Sequence, residues 1–544
     1  MEAAMKHIAF ALTITLTIPW TAAAQHEQHG AAGEKLGTVH FETSCNVATR
    51  GDFDRAVALL HSFEYRPAME TFTKVLATDS SCAIAYWGIA LCHWGNPFAG
   101  LKAGPALERG REAADQGLAT GRPTPREKAF IAAVGELYNS AATVPHRDRT
   151  LAYASAMEAL QRDHPQDMEA KIFYALAVNQ TAPPTDKTYA AQLKAAGILE
   201  PLWKAHPDHP GLPHYIIHAY DHPPLAAKAL DAARRYAKIA PSAPHALHMP
   251  SHTFTRVGSW KESADTNIAS EATALKQNVV AEALHAMDYQ AYAYLQMAQD
   301  QAARGVLGRM SGVAAKLDLT AMGGAAPPVA GVYARNAIAA RYALERGAWA
   351  EAAALTVQPS PFPYADAITH FARALGAARS GAAAAAGPDI ERLAALRDTL
   401  AAAKDAYWTE QLDIQRQVAT AWQTFAGGKR EDGLRLMRAA AAAEDATDKS
   451  AISPGPIAPA RELLGEMLLE AGQAKDALVA FEATMQKEPN RFRGAYGAAR
   501  AAEAAGDRAK ASRYYQQVLT IAKDADTQRA ELQHARTYAG QSRR

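Results

Sequence analysis

A spacing of 34 residues governs this chain. Gly472 and Gly506, Ala477 and Ala511, and Phe481 and Tyr515 are each separated by 34 positions, and Pro489 closes the first of the two units they mark. Each unit reads as two amphipathic helices joined at a glycine, with apolar residues at i, i+3, i+4 and i+7. One such hairpin cannot bury its own apolar face. The period therefore predicts successive hairpins stacked into an all-α solenoid. The same logic starts early: Phe53 and Trp87 are also 34 apart, Ala68–Asp79 reads as a second helix of a hairpin, and Ala85–Leu91 reads as the next first helix. It recurs at Ala337–Leu355. Strand patterns are nearly absent. Three inserts interrupt the array: Ala321–Gly331, the Ala-rich Ser380–Asp389, read as a flexible linker, and a Pro-rich loop over Asp445–Leu463.

Small residues where two helices meet, a turn glycine, an aromatic against the next unit and a proline at the end of the second helix resemble the tetratricopeptide repeat. The resemblance covers most of residues 50–523. It implies a superhelix whose first helices line a concave face, and a peptide or partner protein held in that groove. The chain divides on this reading into a signal peptide (1–24), an N-terminal tail (25–50), N-terminal repeats (51–200), His-rich repeats (201–300), irregular helical repeats (301–445), a Pro-rich loop (446–463) and C-terminal repeats (464–544).

The first residues read as an export signal: Lys6 and His7, the apolar stretch Ile8–Trp20, then Ala22-Ala23-Ala24 before Gln25. A periplasmic or secreted protein is expected. Thiols oxidise in that setting, and Cys45 and Cys82 are the candidates for a disulfide, while Cys92 lies in a helical run and reads as a core residue. No later apolar run reaches the roughly 18 residues of a spanning helix, so no transmembrane segment is expected. Lys and Arg total 57 against 56 Asp and Glu, giving a net charge of +1. That balance offers nucleic acid no electrostatic footprint. Walker loops, GxSxG, HExxH and a strand-borne GxGxxG are absent, so the familiar hydrolase, kinase and dehydrogenase classes lack support.

The chemistry-bearing residues concentrate between 206 and 252. His206, His209, His214, His218, His222, His245, His248 and His252 are eight of 19 histidines in 47 of 544 positions. An even spread would put fewer than two there. His214 and His218 are i,i+4 on one helix, and so are His248 and His252. Such pairs share a face. The two pairs are offset by 34 residues, one repeat. Neighbouring first helices then bring four imidazoles toward one point, where Zn, Cu, Fe or Ni would be held. Aligning the next ALH string places His285 level with His248 and Tyr289 level with His252. Asp221 and Asp288 read as further ligands or as acceptors behind the ligands. Pro250 either kinks the second helix or opens its first turn. The other reading of the same histidines is a hydrogen-bonded polar core, with Tyr215, Tyr220 and Tyr289 as partners. His26 and His29 in the tail are a weaker metal candidate.

The strings HYIIHAYD (His214–Asp221) and HALHMPSH (His245–His252) are similar to those of a group of exported bacterial tetratricopeptide proteins. That resemblance implies export and the repeat fold, and no activity. Three functions follow: a scaffold for a peptide or protein, a metal-dependent enzyme of hydrolytic or oxidative type, or a metal carrier with a closed site. Whether the chain is an enzyme stays open at this point.

Overall fold

The computed structural model describes residues 33–541 apart from 101, 103, 184 and 323. The signal-peptide reading and His26 and His29 lie outside these residues. Helix follows helix from Val47 to Gln541, and no strand occurs among the described residues. The architecture is an all-α solenoid of tetratricopeptide-like hairpins. None of the described helices is long and apolar enough to cross a membrane.

The C-terminal hairpins show why the period works. Ala460–Glu470 pairs with Ala474–Lys487, and Phe492–Ala504 with Arg508–Ile521. Gly472 and Gly506 turn between partners at φ of 78° and 79°, a region closed to most side chains. The Phe481 ring sits between Gly465 of its own hairpin and Gly497 of the next. A Cβ at these positions would come within 2.8 and 2.2 Å of that ring. Small residues therefore set the distance between layers, as close packing requires. At the other end Trp87 is fully buried among Phe41, Phe130 and Phe173.

The superhelix folds back on itself. The indole N–H of Trp260 donates to the Asn490 carbonyl at 2.7 Å, and Arg529 pairs with Asp300 at 3.0 Å. The amide of Thr38 donates to the Asp208 carbonyl at 2.9 Å, tying the N-terminal segment to the middle repeats. One large body of buried apolar residues runs from Leu36 to Phe254 and another from Ala298 to Ala535. The histidine-bearing helices Gly211–Tyr220 and Pro250–Val257 contribute apolar residues to the first of these.

Two inserts differ from their sequence readings. Ser380–Asp389 is no loose linker: Ala383–Ala386 forms a 3-10 turn that runs directly into helix Gly387–Ala402. Alanine is a strong helix former, and Pro388 falls in the first turn, where proline is tolerated. The Pro-rich segment is shorter than its reading, because Ala460–Leu463 already belong to helix Ala460–Glu470.

Cys45 and Cys82 form a disulfide across 37 positions, and Cys92 is a free, buried thiol. Closing a loop of that length constrains the unfolded chain by about 4 kcal/mol in the chain-entropy account. Cys45→Ala/Cys82→Ala is expected to lower unfolding stability by about 2–4 kcal/mol. Guanidinium midpoints with and without a reductant check this; an unchanged midpoint would exclude it.

Candidate metal centre

Helix Gly211–Tyr220 is buried along its whole length. It carries His214 and His218 on one face, with their Nε2 atoms 3.1 Å apart. The next repeat supplies Pro244–His248 and Pro250–Val257. Met249 between them keeps right-handed helical angles, φ −53° and ψ −35°. Pro250 thus opens a first turn without breaking the helical path, and His248 and His252 stay on one face. Their Nε2 atoms are also 3.1 Å apart. Helix Val280–Gln296 brings His285 and Tyr289, whose rings lie 4.4 and 4.7 Å from that of His248.

The four paired histidines do not converge on a single point. They divide into two buried groups, His214–His218–His245 and His248–His252–His285, and within each group the candidate ligand atoms lie within 4.8 Å of one another. The groups are neighbours: the rings of His245 and His248 are 5.9 Å apart and those of His218 and His252 6.2 Å.

The outer hydrogen bonds fix which nitrogen faces inward. His214 Nδ1 donates to the His61 carbonyl at 2.6 Å. His245 Nδ1 donates to Glu282 at 3.0 Å, and His252 Nδ1 to Asp221 at 2.8 Å. His248 Nδ1 lies 2.7 Å from Asn267 Oδ1. The Asn267 amide nitrogen is itself used on the Ser263 carbonyl at 2.7 Å, so its oxygen must accept from His248. Nε2 of His248 and of His252 are therefore both bare lone pairs when the rings are neutral, and they face each other. In the other pair the conflict is absent, since His218 Nε2–H can donate to His214 Nε2. His245 Nε2 and His285 Nδ1 have no hydrogen-bond partner among the described residues.

Electrostatics favour neutral rings backed by charged carboxylates. Burial holds His214, His218 and His248 well below the ordinary imidazole value, with neighbouring imidazoles adding to the effect. Burial also lowers His252 despite Asp221, and pushes His285 down to about 3. Burial alone would raise Asp221, but Lys449, Arg256 and His252 hold it well below the carboxylate range. Lys449, buried beside Asp221 at 3.5 Å, is itself pushed down to about 8.

Asp288, a candidate ligand, pairs instead with the fully buried Arg341 at 3.1 Å. Tyr289 Oη lies 3.4 Å from His252 Nε2 and 3.2 Å from the Ser453 carbonyl. His222 stands outside both groups, beside Gln192 and Asp448. Tyr220 bonds Glu200 and has no place in the centre.

A third cluster follows the polar-core reading. Glu169 accepts from His61 Nε2 at 2.8 Å and from His209 Nε2 at 2.9 Å, and Tyr215 Oη reaches His61 Nδ1 at 3.0 Å. Both Nε2–H groups are spent on the carboxylate, while His209 Nδ1 is buried without a hydrogen-bond partner among the described residues. His61, Glu169, Glu282 and Asn267 carry no sequence signal, because isolated residues of distant helices converge only through the superhelix. His245 did carry one: it lies three residues before His248 on the same turn.

The segment between helices Arg430–Asp445 and Ala460–Glu470 packs against the centre, where the Ser453 carbonyl meets Tyr289. Arg341 donates to Ser453 Oγ, Gly455 O and Pro456 O at 2.8–2.9 Å, and Lys449 reaches Asp221. A Cβ on Gly455 would come within 2.7 Å of Tyr292 Oη, so this close approach needs a glycine.

Fold and centre together define a helical-repeat protein with a buried polyhistidine core. No family model matches the chain, and no curated protein matches it. Among solved structures the chain is similar to yeast Tom70, at 11% identity over 91% of this chain and 96% of that one, with a TM-score of 0.31. It is also similar to the APC/C hetero-tetramer Cut9–Hcn1, at 11% identity over 91% and 90%, TM-score 0.30. A third is the P58(IPK) TPR domain, at 13% identity over 68% and 99%, TM-score 0.21. Overlaps this shallow carry no argument about function, and the assignment as an α-solenoid rests on the order and packing of the helices.

Proposed function

We propose that this solenoid is a transition-metal protein with a site of the open, catalytic kind, held by His248, His252 and His285. One observation carries the reading: two imidazole lone pairs, each fixed by a committed Nδ1–H, face each other at 3.1 Å. Two bare acceptors repel at that distance. A cation between them turns the repulsion into coordination. Two nitrogens on one tetrahedral ion, at bonds of about 2.0–2.1 Å, stand roughly 3.3–3.5 Å apart. Carboxylate and amide acceptors behind ligating imidazoles are the usual way a protein fixes the tautomer of a metal site. All-imidazole donors suit Zn, Cu, Fe and Ni. Three protein ligands leave a coordination position for water or substrate, which is what separates catalytic from structural sites. Tyr289, 3.4 Å from His252 Nε2, would supply a proton donor beside such an ion, while Asp221 and Lys449 stand behind His252. The disulfide supports an oxidising compartment, and with it export to the periplasm or medium.

A docking scaffold is the second reading, and the extended repeat surface favours it. At the histidine repeats the chain's own 446–459 segment packs on Asp221 and Tyr289, so a peptide partner would use another stretch of the array.

Untagged, metal-free protein should gain stability from zinc or copper. At a hundredfold excess over Kd the gain is about 2.7 kcal/mol. For a chain of this size that raises Tm by about 2 °C. His252→Asn should remove most of the gain. A Tm indifferent to all four metals, with none retained on gel filtration, would reject the metal reading and leave the scaffold.

A further inference from the structure

We infer that the centre holds two metal ions side by side, one on each histidine triad, an inference that rests on the metal reading above. The repeat builds the same device twice. Each triad takes two rings at i,i+4 from one repeat, with Nε2 atoms 3.1 Å apart, and a third ring from the repeat that follows. The third ring carries the unpartnered buried nitrogen in both cases, Nε2 of His245 and Nδ1 of His285. Each of these rings belongs to an all-imidazole group whose candidate ligand atoms lie within 4.8 Å of one another. His61–Glu169–His209 also leaves a buried ring nitrogen unpartnered, Nδ1 of His209, but there a carboxylate has taken both Nε2–H groups and no imidazole pair faces itself.

The second triad shares the outer supports of the first but not its facing lone pairs, so an ion there would displace the His218 Nε2 proton that otherwise bonds His214. The His61 carbonyl fixes His214, and Glu282 fixes His245. Glu282 is anchored in turn by the Ala326 amide at 2.9 Å. Phe98 and Phe63 stack on His218 at 4.4 and 5.6 Å, which holds that ring and shields it from water. Rings of the two triads approach to 5.9 and 6.2 Å, so ions on both would be neighbours. Paired ions clamp a small oxygen ligand between them and stabilise charge on both of its sides. Six imidazoles and no thiolate favour late first-row ions, copper(II) foremost by intrinsic affinity.

Counting ions tests this. Copper(II) is added to metal-free protein carrying His26→Ala and His29→Ala, so that the N-terminal histidines do not contribute, and the bound metal is measured after gel filtration. Two ions per chain are expected. Neighbouring copper(II) ions couple, so the electron paramagnetic resonance signal per chain should fall well below that of one isolated ion. His218→Asn and His285→Asn should each reduce the count to one and restore the full signal of a single copper. One ion in the parent protein overturns the paired centre while sparing the metal reading. No ion overturns both. The parent count decides the matter even where a variant fails to fold.

Discussion

Acidification from pH 7 to pH 5 is expected to destabilise the metal-free protein by several kcal/mol, well before ordinary carboxylates protonate. Burial holds six imidazoles, those of His61, His214, His218, His248, His252 and His285, below their ordinary value of 6.5. Below pH 6.5 these rings therefore take up protons more readily in the unfolded chain than in the folded one. The unfolded state then holds more protons, so stability rises with pH through this window and is lost as pH falls. Buried carboxyls act in the opposite sense. Burial raises Glu64 to about 8, Glu444 to about 7 and Asp288 to about 6, and Glu462 is raised as well, so the folded state holds on to their protons. Each proton of net uptake on unfolding contributes about 1.4 kcal/mol per pH unit. Guanidinium midpoints at pH 7.5, 6.5 and 5.5 read the slope directly. Saturating zinc should move the onset to lower pH, because protons then compete with the metal for each ring. Equal midpoints at pH 7 and pH 5 would mean that these rings are not held neutral by the fold.

The fold was legible because a period is global information. One glycine-to-glycine spacing at Gly472 and Gly506 fixes hairpin length, and stacking follows from apolar faces that need covering. The pairs His214/His218 and His248/His252 were legible for the same reason, since i,i+4 is a property of any helix. Their division into two triads was not. Four rings were expected at one point, and the superhelix instead separates the pairs and inserts a third ring into each. The offset between neighbouring first helices depends on side chains such as Phe63, which packs against His214, His218 and His245 at once. No local pattern encodes that. Asp221 and Asp288 illustrate the limit from the other side. Both are acidic residues close to the histidines in sequence, yet one backs His252 while the other is taken up by Arg341, which arrives from 53 positions away.

Arg341→Met is expected to cost about 3–5 kcal/mol, the usual loss when one partner of a buried ion pair is removed. Arg341 is fully buried and makes four side-chain hydrogen bonds, to Asp288, Ser453, Gly455 and Pro456. Methionine fills much of the volume but donates nothing. It leaves the Asp288 carboxyl and the Pro456 carbonyl without their donor, while the Gly455 carbonyl keeps Ser453 Oγ, and each unsatisfied group costs about 1–3 kcal/mol. Asp288→Asn in the same chain removes the charge that Arg341 neutralises, so the double variant should lose less than the two single losses combined. Arg341→Lys should fall between, because a point-like ammonium cannot serve a planar fork of carbonyls. The loss is local before it is global. Arg341, Tyr289 and Lys449 fasten the 446–459 segment, together with Asp448, which pairs with Lys187 and His222, so limited proteolysis of the folded Arg341→Met protein should cut between Thr447 and Pro459. Zinc or copper should then load faster than into the parent, since that segment covers Tyr289 and His252. An Arg341→Met protein with parental stability, the parental cleavage pattern and the parental loading rate would show that the segment does not guard the centre.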